Sequence, residues 1–293
     1  MTVDQNLARL GLDLVYSAMA VYSGALVTSA VDLSRRGAGV RSRARGIAVS
    51  LTVLAVLLHG GGVLARGLAV HRAPWGNMYE FSVAGSFVVA LTYLVALRWR
   101  DLTFLGTFVV GPVLLVLGLA VTVLYTSASG LVPALQSYWL YIHVTVAFIS
   151  SALFTLGFSA TVLQLVRQHR EQRAAEGRPA RHGAFLAGLP SAEALERLSY
   201  QLHAVAFPLW TFTVMAGAIW AEKAWGRYWG WDPKEVWSFV IWVVYAGYLH
   251  ARLTRGWDGR RAAYLALAGF GCLLFNFLVV NYAFVGHHSY AGG

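Results

Sequence analysis

Six of the eleven tryptophans in this chain fall within 23 residues, Trp220–Trp242, WAEKAWGRYWGWDPKEVWSFVIW. They are Trp220, Trp225, Trp229, Trp231, Trp237 and Trp242, with Arg227, Asp232, Lys234 and Glu235 set among them around a centre that contains glycine and proline. Two other places carry imidazoles: His143 in SYWLYIHVTVAF, and His287 and His288 in the terminal NYAFVGHHSYAGG. Indole rings pack on a large flat ligand. Two neutral imidazoles ligate a haem iron from its two faces. Arg227 and Lys234 are cations of the kind that answer a pair of propionates. Together these residue types describe a haem-binding set. The competing reading is an interfacial tryptophan belt with interfacial histidines. A belt explains scattered tryptophans well, but six in 23 residues, interleaved with charge and glycine, poorly.

The elements that must position these residues are membrane spans. Of the 293 residues, 58% are hydrophobic and 12% charged, against roughly 45–50% and about 25% in soluble domains. Runs long enough to cross a bilayer, about 20 residues each, lie near 10–31, 46–66, 80–98, 103–125, 139–166, 200–221, 236–253 and 262–285. The expected fold class is therefore all-α, a polytopic integral membrane protein of about eight transmembrane helices, read as one membrane domain over 1–293. The first run lacks a basic leader and reads as a retained span.

The net charge of +10 does not point to nucleic acid, because the basic residues sit in short linkers between spans. Four alternate linkers, 32–45, 98–100, 167–182 and 252–261, carry sixteen of the twenty-three Lys and Arg. The positive-inside rule assigns these to the cytoplasm. Both termini are then expected to be extracytoplasmic, as is the tryptophan-rich loop 222–238. Residues 167–199 are expected as a cytoplasmic basic linker followed by a short amphipathic helix starting near Ser191. The single cysteine, Cys272, lies in an apolar run, and the absence of a CxxC argues against thiol–disulfide exchange.

The remaining histidines sort by depth. His250 lies near the inner end of span seven, in WVVYAGYLHARL. Twelve residues separate it from Ser238, about 18 Å along a helix, so one haem cannot touch both His250 and the outer loop. His250 is either a ligand at a second, deeper site or a histidine reaching the inner headgroups beside Arg252. His203 is at a similar depth and is a candidate to pair with it. His59 precedes three glycines. Burial as helix-contact histidines is the plainer reading for both His59 and His203. His71, His169 and His182 lie in loops and linkers and carry no expected site role. In the outer loop HRAPWGNMYEF, Asn77 is placed to cap span three and Glu80 to pair with Arg66 or Arg72.

WGRYWGWDPKEVWS resembles the tryptophan-rich WWD motif of the cytochrome c assembly proteins. The segments LSYQLHAVAFPLWTFTVMAGAIWAEKAWG, YLHAR, PWGNMYEF and HHSYAGG are similar to the CcsA (also ResC) branch of that family. The resemblance covers most of residues 66–291. It implies a System II haem exporter and cytochrome c synthase working with a ResB/CcsB-type membrane partner, in the plasma membrane or a thylakoid-type membrane. It implies haem b as substrate and ligand, and apocytochrome c, with its CxxCH thiols, as acceptor. A thiol reductant of the CcdA/ResA kind is expected nearby.

By the same resemblance, His143 and, through the HSY triplet, His288 ligate the outer haem, with His287 left as the alternative. Trp225, Trp229, Trp231 and Trp237 form the platform, and Asp232 and Lys234 shape the loop. His250 corresponds to a transmembrane ligand whose opposite number comes from the partner. No nucleophile or paired carboxylates are placed for acid–base catalysis. Two other readings stand beside this one: a CcmC-type haem-delivery protein that makes no thioether, and a transporter or structural subunit whose tryptophans are only an anchor. The eight spans and PWGNMYEF speak against the first.

Overall fold

A computed structural model describes residues 3–37, 43–128, 137–177 and 188–284. Eight helices account for the eight apolar runs: α1 (Gln5–Gly37), α2 (Ala44–Ala69), α3 (Met78–Ala96), α4 (Gly106–Thr122), α5 (Tyr138–Ala175), α6 (Ala192–Trp225), α7 (Pro233–Arg255) and α8 (Gly259–Ala283). All eight are long and apolar enough to cross a membrane once the short 3₁₀ turn Thr103–Leu105 is counted with α4. The chain is an all-α, multi-pass membrane protein. The expected amphipathic helix near 191–199 is not a separate element. Ser191 Oγ accepts from Ala194 N (3.2 Å), and from Ala192 the helix runs unbroken into span six as α6.

The residues form two compact units, Met1–Gly130 with Leu163–Leu195, and Leu131–Val162 with Glu196–Gly293. In the first, α1 and α2 meet backbone to backbone: a β-carbon on Gly62 would lie 2.9 Å from the Gly11 carbonyl. Small residues permit such approaches where lipid gives helices no hydrophobic drive to associate. The loop between α2 and α3 is built on Glu80, which is 1% exposed. Its carboxylate accepts from Arg66 Nε (2.9 Å), Arg72 Nη1 (2.6 Å) and the Gly76 amide (2.9 Å), so it pairs with both of the arginines proposed for it. Arg66 also donates to the Thr126 carbonyl (2.8 Å) and lies over the Tyr79 ring. Asn77 caps α3, accepting from Glu80 N at 2.9 Å. His59 is sealed here: Nε2 donates to the Val83 carbonyl (3.0 Å), Nδ1 faces the Tyr22 hydroxyl (3.4 Å), and Tyr22 and Phe87 stand edge-on to the ring.

In the second unit α5 and α6 run antiparallel with reciprocal seats. The His143 ring of α5 lies against Gly217 of α6, and the His203 ring of α6 lies against Gly157 of α5. Each histidine is the same distance along its helix from the glycine that seats the other (143 to 157, 203 to 217). Ser150 Oγ donates to the Ala206 carbonyl between them (2.9 Å). The core below is aromatic, with Phe154 stacked on Tyr245 at 3.9 Å between centroids and Trp210 beside them.

Candidate functional site

His143 is held from three sides. Nδ1 lies 2.9 Å from the Thr213 carbonyl, which can only accept, so Nδ1 carries the proton. The lone pair is thereby placed on Nε2, the arrangement that orients an imidazole for a metal. The ring is stacked on Trp220 (6.0 Å, 17°), and Trp220 meets Trp225 edge-on at 4.9 Å. A β-carbon on Gly217 would lie 2.8 Å from the His143 ring. Gly217→Ala should therefore push the ring away or overpack the helix pair, at a cost of about 1–3 kcal/mol; the thermal midpoint of the solubilised protein is the measure. The same holds for Gly157→Ala, where the ring is that of His203.

The tryptophan-rich loop joins α6 and α7 at the same end of this unit. Gly226, at φ +71°, ends α6 with its amide on the Glu222 carbonyl (2.8 Å). Asp232 caps α7, accepting from Lys234 N (3.0 Å), with Pro233 in the first turn. Glu235 Oε2 turns back to accept from the amides of Gly230 (2.7 Å) and Asp232 (3.2 Å). Arg227 Nη1 donates to the Gly230 carbonyl across the loop (3.4 Å). Between these fixed points Trp231 adopts φ +60° and is 77% exposed. A bulky residue there is rare and strained by roughly 1–2 kcal/mol. The strain is held by the capping box on one side and by the Trp229 ring, edge-on at 5.9 Å, on the other.

The charged candidates divide. Arg227 stays in the loop, while the Lys234 ammonium reaches α8, donating to the Asn276 carbonyl (2.9 Å) and Asn281 Oδ1 (3.2 Å). Asn276 Nδ2 in turn donates to Ser238 Oγ (3.2 Å), so α7 and α8 are pinned beside the loop. Trp237 packs on Phe275 (4.1 Å), which touches Phe284 near the end of α8. His287 and His288 lie outside the described residues.

His203 and His250 end up on opposite sides of α7. His203 is fully buried between Tyr245 and Tyr248, both rings at 5.3 Å, with Nδ1 donating to the Ser199 carbonyl (2.7 Å). Ile241, Tyr245 and Tyr248 form the buried face of α7, whereas Phe239, Val243, Gly247 and His250 are exposed. The pairing of His203 with His250 suggested by depth is thus ruled out by helix phase. His250 instead faces outward, where a ligand or another chain can reach it.

Several residues that build the site carry no chemistry of their own. Thr213 and Gly217 are found only through tertiary contact. Glu235 went unassigned, although D-P-K-E carries the pattern of a capping box with proline in the first turn.

The arrangement is that of a multi-pass membrane protein displaying an aromatic loop beside an oriented imidazole. Comparison with known proteins places it. The family model described as Cytochrome C assembly protein matches residues 75–288. A Synechococcus sp. (strain JA-3-3Ab) protein named cytochrome c biogenesis protein CcsA is 33% identical over 292 residues, covering 83% of each chain. A protein of the same name from Chlamydomonas reinhardtii is 37% identical over 74% of this chain and 60% of its own length. The chain belongs to the cytochrome c assembly protein family. Among solved structures, Cytochrome c Heme Lyase CcmF shares the fold, with a TM-score of 0.66 at 19% identity over 95% of this chain. This chain spans 47% of that protein's length.

Proposed function

We propose that this chain is the haem-presenting membrane subunit of a System II cytochrome c synthase. It carries haem b to its extracytoplasmic face and holds it while the two thiols of an apocytochrome CxxCH motif add across the vinyl groups. The observation that carries this reading is His143: one tautomer, one ring orientation, and a stacked Trp220, beside a loop that spends backbone strain on displaying Trp231. His143 and His288, or its neighbour His287, would hold the haem iron. Trp225, Trp229, Trp231 and Trp237 form the platform, and Arg227 is the cation available to a propionate. Asp232 and Lys234 hold the loop's shape through the cap and the bonds to α8.

The basic linkers support a topology with both termini and the 222–238 loop outside and 167–199 in the cytoplasm. The membrane is the plasma membrane or a thylakoid type. His250 serves a second, deeper haem whose other ligand comes from a ResB/CcsB-type partner, and its exposed position supports this. A CcdA/ResA-type reductant keeps the acceptor thiols reduced. The chain's own contribution to the reaction is positioning.

Co-expression with the partner and an apocytochrome, in a host lacking its own maturation system, should give covalently bound haem that survives denaturing gel electrophoresis. No such product from the pair would contradict the synthase reading. Trp231→Gly separates display from folding. Glycine relieves the positive φ, so the thermal midpoint should hold or rise while cytochrome c yield falls. A parental yield would remove Trp231 from the platform.

A further inference from the structure

α7 and α8 are held differently along their length. Low in the pair the fit is steric: the Tyr245 ring fills the space over Gly269, where a β-carbon would lie 2.8 Å from it. At the other end the fit is polar. The Lys234 ammonium donates to the Asn276 carbonyl (2.9 Å) and to Asn281 Oδ1 (3.2 Å), so one cation spans about the last two turns of α8. Asn281 Nδ2 donates to the Phe277 carbonyl (2.6 Å), and Asn276 Nδ2 to Ser238 Oγ (3.2 Å), whose own proton goes to the Lys234 carbonyl (2.7 Å). Asn276 and Asn281 are each 5% exposed. Four polar side chains on two facing helices thus close on one another. Such a lock contributes geometry more than stability, since apolar residues of like volume often hold a helix pair as well.

We propose that Lys234 is a positioning residue for the outer haem: by clamping the last turns of α8 to the tryptophan-rich loop, it sets the point from which the terminal, histidine-bearing segment leaves. The inference rests on the proposed function, in which His143 and His288, or His287, hold the iron. Lys234 stands two residues after Asp232, the cap that closes the loop, so its bonds to α8 join the two ends directly. His287 and His288 follow Ala283 by four and five residues. Asn281 lies twelve residues beyond Gly269. That is about 18 Å of helix, over which a tilt of about 5° carries the end by about 1.6 Å. A misplacement of about 1 Å can cost roughly a hundredfold in rate. The clamp removes that freedom, and Lys234 needs no contact with haem to do so.

The test is made in the full chain, co-expressed with the partner and an apocytochrome. Lys234→Met keeps the side chain's length and removes the ammonium; Asn281→Leu removes one of its acceptors. In both variants the thermal midpoint and the copurifying partner should match the parent, while the share of high-spin haem rises. Cytochrome c yield should fall at least about tenfold. Added imidazole should return the haem to its six-coordinate, low-spin form by standing in for the misplaced histidine. A residue that only stabilises the helix pair would lower the midpoint and leave the spin state alone, and that result would overturn the proposal. Parental spectrum and yield in either variant, loss of the partner, or high-spin haem that imidazole does not restore would overturn it too. A parent complex without haem, or a His143→Gly variant with parental spectrum and yield, would refute the outer site itself. If His143→Gly fails as expected but Lys234→Met matures cytochrome normally, only the clamp is refuted.

Discussion

Glu80→Ala should destabilise the protein by about 3–5 kcal/mol, because it leaves two buried guanidinium groups without their shared carboxylate. The Arg66 and Arg72 side chains are each 7% exposed, and among the described residues both close ion pairs on Glu80. The loss also frees the Gly76 amide, so the turn that leads into α3 loses its anchor. Glu80→Gln keeps the shape and one acceptor oxygen, and should fall between parent and alanine. Replacing Arg66, Arg72 and Glu80 together by apolar residues of similar volume should recover part of the loss, since no charge then remains buried. Thermal unfolding of the three solubilised variants beside the parent measures this. An alanine variant as stable as the parent would mean that water reaches the arginines and the cluster is not a closed triad.

His143→Gly should abolish cytochrome c formation while leaving the helix pair intact. The histidine is half-buried, so removing it leaves a gap against Trp220 and Gly217 without exposing a buried charge. Removing a group that only orients a metal ligand already costs 10–100-fold; removing the ligand should cost at least that. Added imidazole should restore yield, because the Gly217 seat and the Thr213 carbonyl remain to orient it. His203→Gly, the reciprocal change, should lower stability and show no such rescue. It removes a fully buried ring, and Tyr245 and Tyr248 close the space around it. Equal rescue of both variants would show that imidazole is filling cavities rather than replacing a ligand.

Span number and class were legible because twenty apolar residues in a row have few alternatives. Asn77 was legible because capping is local, and Glu80 because Arg72 and Arg66 lie only eight and fourteen residues away across one short loop. Depth alone made His203 and His250 look like partners. The period of α7 separates them: Tyr245 and Tyr248 fall on one face and Phe239, Val243 and His250 on the other, a phase the sequence already contains. The seat of His143 was not legible, since Thr213 and Gly217 meet it from another helix some 70 residues away. Nor was the positive φ of Trp231. A tryptophan there is locally unfavourable, and the Asp232–Glu235 cap, the Arg227 bond across the loop and the Trp229 ring hold it. Conflict between local preference and fixed geometry is expected where a loop serves a ligand.

On the proposed function this chain holds haem between imidazoles at two levels. The visible spectrum of the complex purified with its partner, before and after reduction, tests it most directly. A Soret band with sharp bands of six-coordinate bis-imidazole haem is expected, reduced in His143→Gly and in His250→Gly and absent when both are replaced. A colourless parent complex, or a double variant that keeps the parent's full Soret band, would contradict haem binding at His143 and His250.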